Sequence, residues 1–209
     1  MKPKQTVLTF APAVLQCVRS YMLAAGSVAV GLLASFQTSE AKVVFTQANV
    51  VISAGQSYNL HLTNNGTTDY TISASSRDAN GCPGVDLDAS VNTAAGNFVE
   101  YLNGGYPDAL PPGARIDSSQ QFYGGNQQTL AAYYWSPVFG CHVVAYGNWV
   151  GNIGTRYLGL KFQFQGKTHF GWARMKVTSN FVGIRIALTG YAFETIANKA
   201  IIAGKRPGH

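Results

Sequence analysis

The sequence predicts an all-β protein, an antiparallel β-sandwich of jelly-roll-like form, and three observations carry that expectation. Only 11% of its 209 residues are charged. Gly, Asn, Thr and Tyr are abundant, and short runs of alternating polarity are bounded by turn residues. Few stretches show the 3.6-residue period of an amphipathic helix, Asn126 to Trp135 and Ala94 to Leu102 being the two that suggest a turn or two.

The first 41 residues stand apart from this pattern. Lys2, Lys4 and Arg19 precede an apolar run from Met22 to Phe36 that is short and rich in small residues, and Ser39-Glu40-Ala41 places small residues at a signal-peptidase site. The expected organisation is a signal peptide over 1–41 and a single β-sandwich domain over 42–209. A membrane-anchoring helix is the competing reading of the leader. After Ala41 no comparable apolar run follows, so no membrane span is expected once the signal is removed, and the protein is expected to be secreted or associated with the cell surface.

Removal of the leader takes Cys17 with it and leaves Cys82 and Cys141. In an oxidising compartment these two are expected to form a disulfide, with two separate buried thiols as the alternative. Neither belongs to a CxxC pair, His61 and His142 have no spaced ligand partner, and no metal or cofactor is expected. Charge is unevenly distributed. Between Lys42 and Thr155 the bases are Lys42, Arg77 and Arg115, against a larger number of acids, whereas from Arg156 onward Glu194 is the lone acid among many bases. That asymmetry suits either a solvated basic face or an anionic partner. Nucleic acid is not expected, since the export signal removes the chain from it and no nucleic-acid motif is present.

Two hairpins are legible. In the first, Tyr58, Leu60 and Leu62 alternate, Asn65-Gly66 turns, and Tyr70, Ile72 and Ala74 alternate back. Residues 76 to 128 read as a long irregular excursion. In the second hairpin, Leu158, Leu160, Phe162 and Phe164 share one face, and Gly166-Lys167 is taken as a two-residue turn. That turn sets Gln165 opposite Thr168, Phe164 opposite His169 and Phe162 opposite Gly171, on an apolar, core-facing surface. His169 is read as a buried structural residue. The other surface pairs Lys161 with Trp172, Gly159 with Arg174 and Tyr157 with Lys176. Left open to solvent, Trp172, Phe170 and Tyr157 with Lys161 and Arg174 would form a binding platform above the gap at Gly159, with rings for sugar faces and cations for carboxylates. Covered by another sheet, the same rings would be core. A third strand carries Ile184, Ile186 and Leu188 on one face.

The segment RYLGLKFQFQGKTHFGWARMKV, with LTGYAFETIANKAIIAG after it, resembles the C-terminal block of uncharacterised bacterial secreted proteins of the PEP-CTERM-associated type. Their shared pattern is H-[YF]-G-W-A-R followed by G-Y-A-[YF]-E-T, P-N and I-x-A-G. Here Ala197 replaces the usual proline, and no sorting tail follows IIAG, so anchoring by that route is not implied. The resemblance implies an exported sandwich domain and supplies no catalytic residues. Related proteins often carry an acidic calcium-loop-like stretch in the first hairpin. His61 to Asp69 has lost most of those carboxylates, and a plain hairpin is expected there.

Catalysis finds little support. No GxSxG, HExxH or P-loop occurs. Asp86, Asp88, Glu100 and Asp108 could supply the two carboxylates of a glycosidase, and solvated loop acids are the simpler account. Tyr133, Tyr134, Trp135, Phe139, Tyr146 and Trp149 cluster around Cys141, either as core or as sugar-stacking rings. The function expected is that of an extracellular or envelope-associated protein, with an extracellular polysaccharide as candidate partner. A structural matrix protein and a glycoside-active enzyme are the alternatives.

Overall fold

The computed structural model describes residues 42–102, 105–138, 140–180 and 182–208. The leader over 1–41, with Cys17, lies outside the described residues, as do Phe139 and His209.

Fourteen strands are described and all pair antiparallel: β1 (Val43–Ser53), β2 (Gln56–Leu60), β3 (Tyr70–Asp78), β4 (Val85–Thr93), β5 (Phe98–Leu102), β6 (Tyr106–Pro107), β7 (Arg115–Ile116), β8 (Gln121–Tyr123), β9 (Gln128–Ser136), β10 (His142–Tyr146), β11 (Thr155–Phe164), β12 (Lys167–Asn180), β13 (Gly183–Glu194) and β14 (Ile201–Ile202). One sheet runs β1-β13-β12-β11-β5-β6, with β8 also on β5, and a second runs β10-β9-β4-β3-β2. The protein is thus a β-sandwich. Among the described residues no helix is long and apolar enough to cross a membrane.

Alternation builds the core between the sheets. Leu158, Leu160 and Phe162 from β11, Met175 and Val177 from β12, and Ile184, Ile186 and Leu188 from β13 meet Ile72, Leu87, Ala89, Val91 and Leu130 of the second sheet. Trp149 is fully buried in the same core, and its backbone N–H bonds the Leu130 carbonyl. The backbone there passes so close that a Cβ on Gly147, at φ +98°, would stand 2.2 Å from the Leu130 oxygen. Glycine is obligatory at that bend.

Most of each window in which a helical turn was expected is strand, residues 94–97 alone making a turn, closed by Asn97 N–H on the Ala94 carbonyl. Residues 128–136 form β9 and residues 98–102 form β5. Pairing of β9 with β4 and β10 on either side satisfies its backbone, and that tertiary pairing overrides the weak 3.6-residue pattern. The first hairpin has the expected strands, but 61–69 form a longer connection rather than a two-residue turn. Asp69 explains its shape. Its buried carboxylate accepts Leu62 N–H at 2.8 Å and an Asn97 amide N–H at 3.4 Å, closing the loop from within.

The second hairpin turns at Gln165-Gly166, not at Gly166-Lys167. Both central residues take positive φ, +52° and +71°, and glycine occupies the second of the two places. In an Asn-Gly-like turn the second central position is where glycine is favoured, which moves the turn one residue back. The register therefore slips by two. Phe162 faces His169, Leu160 faces Gly171, Lys161 faces Phe170, Gly159 faces Trp172 and Tyr157 faces Arg174. An even slip leaves every side chain on its expected face.

Candidate functional site

The proposed platform is covered, and this corrects the open reading of that surface. Trp172 and Phe170 are both 0% exposed and Tyr157 is 8% exposed. They belong to a second, smaller core with Val43, Leu110, Ile116, Ala192, Ile201 and Ala203, on the side of the first sheet away from the sandwich interior. Its cover is built from the chain around 108–123 and from the C-terminal segment, joined by the β7–β14 pair in which Ile201 faces Ile116. Tyr157 meets Trp172 edge-on at 5.3 Å, Phe45 packs on Trp172 at 5.8 Å, and Phe122 packs on Phe170 at 5.8 Å. The cations lie at the margin. Lys161 is half-buried with Nζ 5.3 Å from the Phe98 ring centre and 5.6 Å from that of Phe122, and Arg174 is half-buried beside Tyr157.

The gap at Gly159 is filled by Glu100. A Cβ on Gly159 would stand 2.3 Å from Glu100 Oε2. Glu100 is 4% exposed, its Oε2 has no hydrogen-bond partner among the described residues, and burial, with Asp108 and Asp117 adding negative charge nearby, pushes its carboxyl up to about 7. Asp117 moves oppositely. Hydrogen bonds from Ser119 hold it at about 2. The folded state keeps the Glu100 proton where the unfolded chain has lost it, so the Glu100 contribution to stability should be full below about pH 4.5, the ordinary glutamate value, fall up to about 7 and stay reduced above. The full loss is about 3 kcal/mol at 1.36 kcal/mol per unit. Glu100→Gln should therefore match wild type near pH 4 and be the more stable protein at pH 8, measured by urea denaturation at both values. Parallel pH profiles for the two proteins would reject a buried ionising Glu100.

His169 is buried and is held by Nδ1 at 2.9 Å from the Glu194 carbonyl oxygen, between Phe162 and Phe164. It faces the main core, as the alternation required. Cys82 and Cys141 form a disulfide that ties the β3–β4 loop to the β9–β10 loop.

The four acids considered for glycoside chemistry fall into two groups. Glu100 and Asp108 are adjacent, with Asp108 N–H bonding the Glu100 carbonyl. Asp86 and Asp88 lie on the opposite sheet, on β4. Asp86 receives the Trp135 backbone N–H at 2.9 Å and the Arg77 Nε–H at 3.3 Å, and Asp88 receives the Thr129 hydroxyl at 3.3 Å.

Around Asp86 and Asp88 the outward face of the second sheet takes on a distinct character. Register places Ser75 beside Asp88, Arg77 beside Asp86, Asp88 beside Ala132, and Val144 beside Tyr134. Tyr133, one residue along β9, packs on the core, so Tyr134 points outward. Tyr134 and Tyr146 lie 6.0 Å apart between ring centres, and the Arg77 guanidinium sits 5.6 Å over the Tyr134 ring. Tyr146 is 42% exposed. Burial and the neighbouring Asp88 raise the Tyr134 hydroxyl above its ordinary value. Of the aromatics singled out near Cys141, Trp149 and Tyr133 serve the core, Trp135 lies half-buried over Gly84, and Tyr134 and Tyr146 face out.

The fold and this face together define an antiparallel β-sandwich with one outward sheet surface of tyrosines among polar and charged groups. Compared with family models, with curated proteins and with solved structures, the chain matches none.

Proposed function

We propose that this protein is exported and binds carbohydrate, without cleaving it, on the outward face of the five-stranded sheet. The observation that carries the reading is the Tyr134–Tyr146 pair set beside Arg77, Asp86 and Asp88. Sugar rings present apolar C–H faces edged by hydroxyls. Paired tyrosines offer the faces, and flanking carboxylates and a guanidinium offer acceptors and donors for the hydroxyls. Asp86 and Asp88 are each held by protein donors, which suits fixed hydrogen-bond acceptors better than a general acid with a mobile proton. Export is supported by the leader-like first 41 residues and by a disulfide of the kind that persists in oxidising compartments.

The test is binding to an array of neutral and acidic polysaccharides, followed by titration of the best oligosaccharide. Tyr134→Ala and Tyr146→Ala should each weaken it by about tenfold, the effect of losing roughly one ring stack. Undiminished binding by both folded variants would remove this face. A matrix protein without a sugar ligand would bind nothing on the array.

A further inference from the structure

We infer that a second site, independent of the tyrosine face, takes an oxyanion: a cleft of about 300 Å³ lined by Lys42, Val43, Glu194, Lys205, Arg206, Pro207 and Gly208. It lies where the start of β1 meets the end of β13. Val43 pairs with Glu194, Thr195 N–H bonds the Lys42 carbonyl, and the Lys42 N–H bonds the Thr195 hydroxyl at 3.2 Å.

Among the described residues three cations and one carboxylate line this space, and the carboxylate is already engaged. Glu194 is 3% exposed, its Oε1 accepts the Ile196 N–H at 3.1 Å, and its Oε2 lies 3.7 Å from Lys199 Nζ. Lys199 thereby offsets the negative charge of Glu194. Among the described residues Lys42, Lys205 and Arg206 have no ion-pair partner. Repulsion among them is relieved by an anion that enters between them.

Arg206 is also held in place for the task. Its guanidinium carbon lies 4.3 Å from the Phe45 ring centre, and Phe45 rests on Trp172 of the second core. A guanidinium held over an aromatic face keeps its in-plane N–H groups directed outward, the geometry that pairs with two oxygens of one carboxylate, phosphate or sulfate. The turn before it fixes the approach. Gly204 takes φ +91°, and a Cβ there would stand 2.8 Å from the Tyr157 hydroxyl, so only glycine lets the chain fold down onto Tyr157 and deliver Lys205 and Arg206 to the cleft. Lys205 N–H closes that turn on the Ile202 carbonyl at 2.9 Å. The volume is at the small end of ligand pockets and suits a single anionic group or one acidic sugar residue.

The experiment is an NMR titration, at low ionic strength, of the protein recovered from expression of the full chain, with inorganic phosphate in one arm and glucuronate in the other. Saturable shifts of the Arg206 side-chain Nε–H and of the Lys205 and Gly208 amides are expected in at least one arm, weakened by added sodium chloride. Phosphate alone would assign the site to phosphoryl groups, and glucuronate alone to acidic sugars. A Lys205→Ala/Arg206→Gln double variant should lose about tenfold or more in affinity while keeping its melting temperature, and Arg206→Lys should recover only part, because an ammonium lacks the two-pronged edge. Absence of saturable shifts in both arms, or a double variant that binds as wild type does, overturns the site. Neither result bears on the tyrosine face, because these residues lie apart from β9 and β10.

Discussion

Trp172→Ala should lower the stability of this protein by about 3–5 kcal/mol, the cost of removing a large ring from a packed interior. The ring is fully buried, meets Tyr157 edge-on and supports Phe45. Its strand partners are Gly159 and Ala192, two small residues that leave room for it and could not collapse far enough to refill the space. Urea denaturation of the alanine variant should show a much lower midpoint, or no folded baseline at all. Trp172→Phe is the informative companion. It keeps a ring and discards an indole N–H that has no partner among the described residues, so the loss should be a fraction of that for alanine. An alanine variant as stable as wild type would show that the cover over this ring contributes nothing to folding.

The contrast between the two halves of β12 explains what could be read from the sequence around this tryptophan. From Lys176 to Asn180 burial alternates residue by residue, and the expected faces follow directly. From His169 to Ala173 every residue is buried. A run in HFGWA without a polar interruption is the mark of a strand covered on both sides, and it was the available sign that no open platform exists there. What the local sequence does not carry is the identity of the cover. β7 and β14 have two residues each, too short for alternation to show, and they meet only because positions 85 apart, Ile116 and Ile201, pair across the first sheet. Likewise the Gly159 gap was visible as a missing side chain, whereas its occupant, Glu100, arrives from β5 by a pairing of just two residues with β11. The tyrosine face was half legible. The aromatic cluster near Cys141 stood out, but which rings point outward depends on the parity of β9, which the weak helical pattern of 126–135 obscured.

Loss of the Cys82–Cys141 bridge is the other large effect to expect. The two half-cystines are 59 residues apart in sequence, and closing a loop of that length in the unfolded chain stabilises the native state by about 4 kcal/mol in the chain-entropy model. Within the fold their Cα atoms are 5.4 Å apart, so the bridge joins loops that the sheet has already brought together. Those loops are otherwise lightly held. Ala79 N–H bonds the Gly84 carbonyl at 3.0 Å, Cys82 N–H reaches the Ala79 carbonyl at 3.4 Å, and the Trp135 ring lies over Gly84. A Cys82→Ser/Cys141→Ser double variant should therefore unfold at a much lower denaturant concentration with a larger m-value, because its unfolded state is no longer cross-linked and exposes more surface. Reduced wild-type protein should behave in the same way. The paired sheets do not depend on the bridge for their register, so the double variant should keep its β-type circular dichroism in buffer at low temperature, and Tyr134 and Tyr146, held by the pairing of β9 with β10, should keep their places. A double variant as stable as the oxidised protein would mean that the two loops are already held close in the unfolded chain.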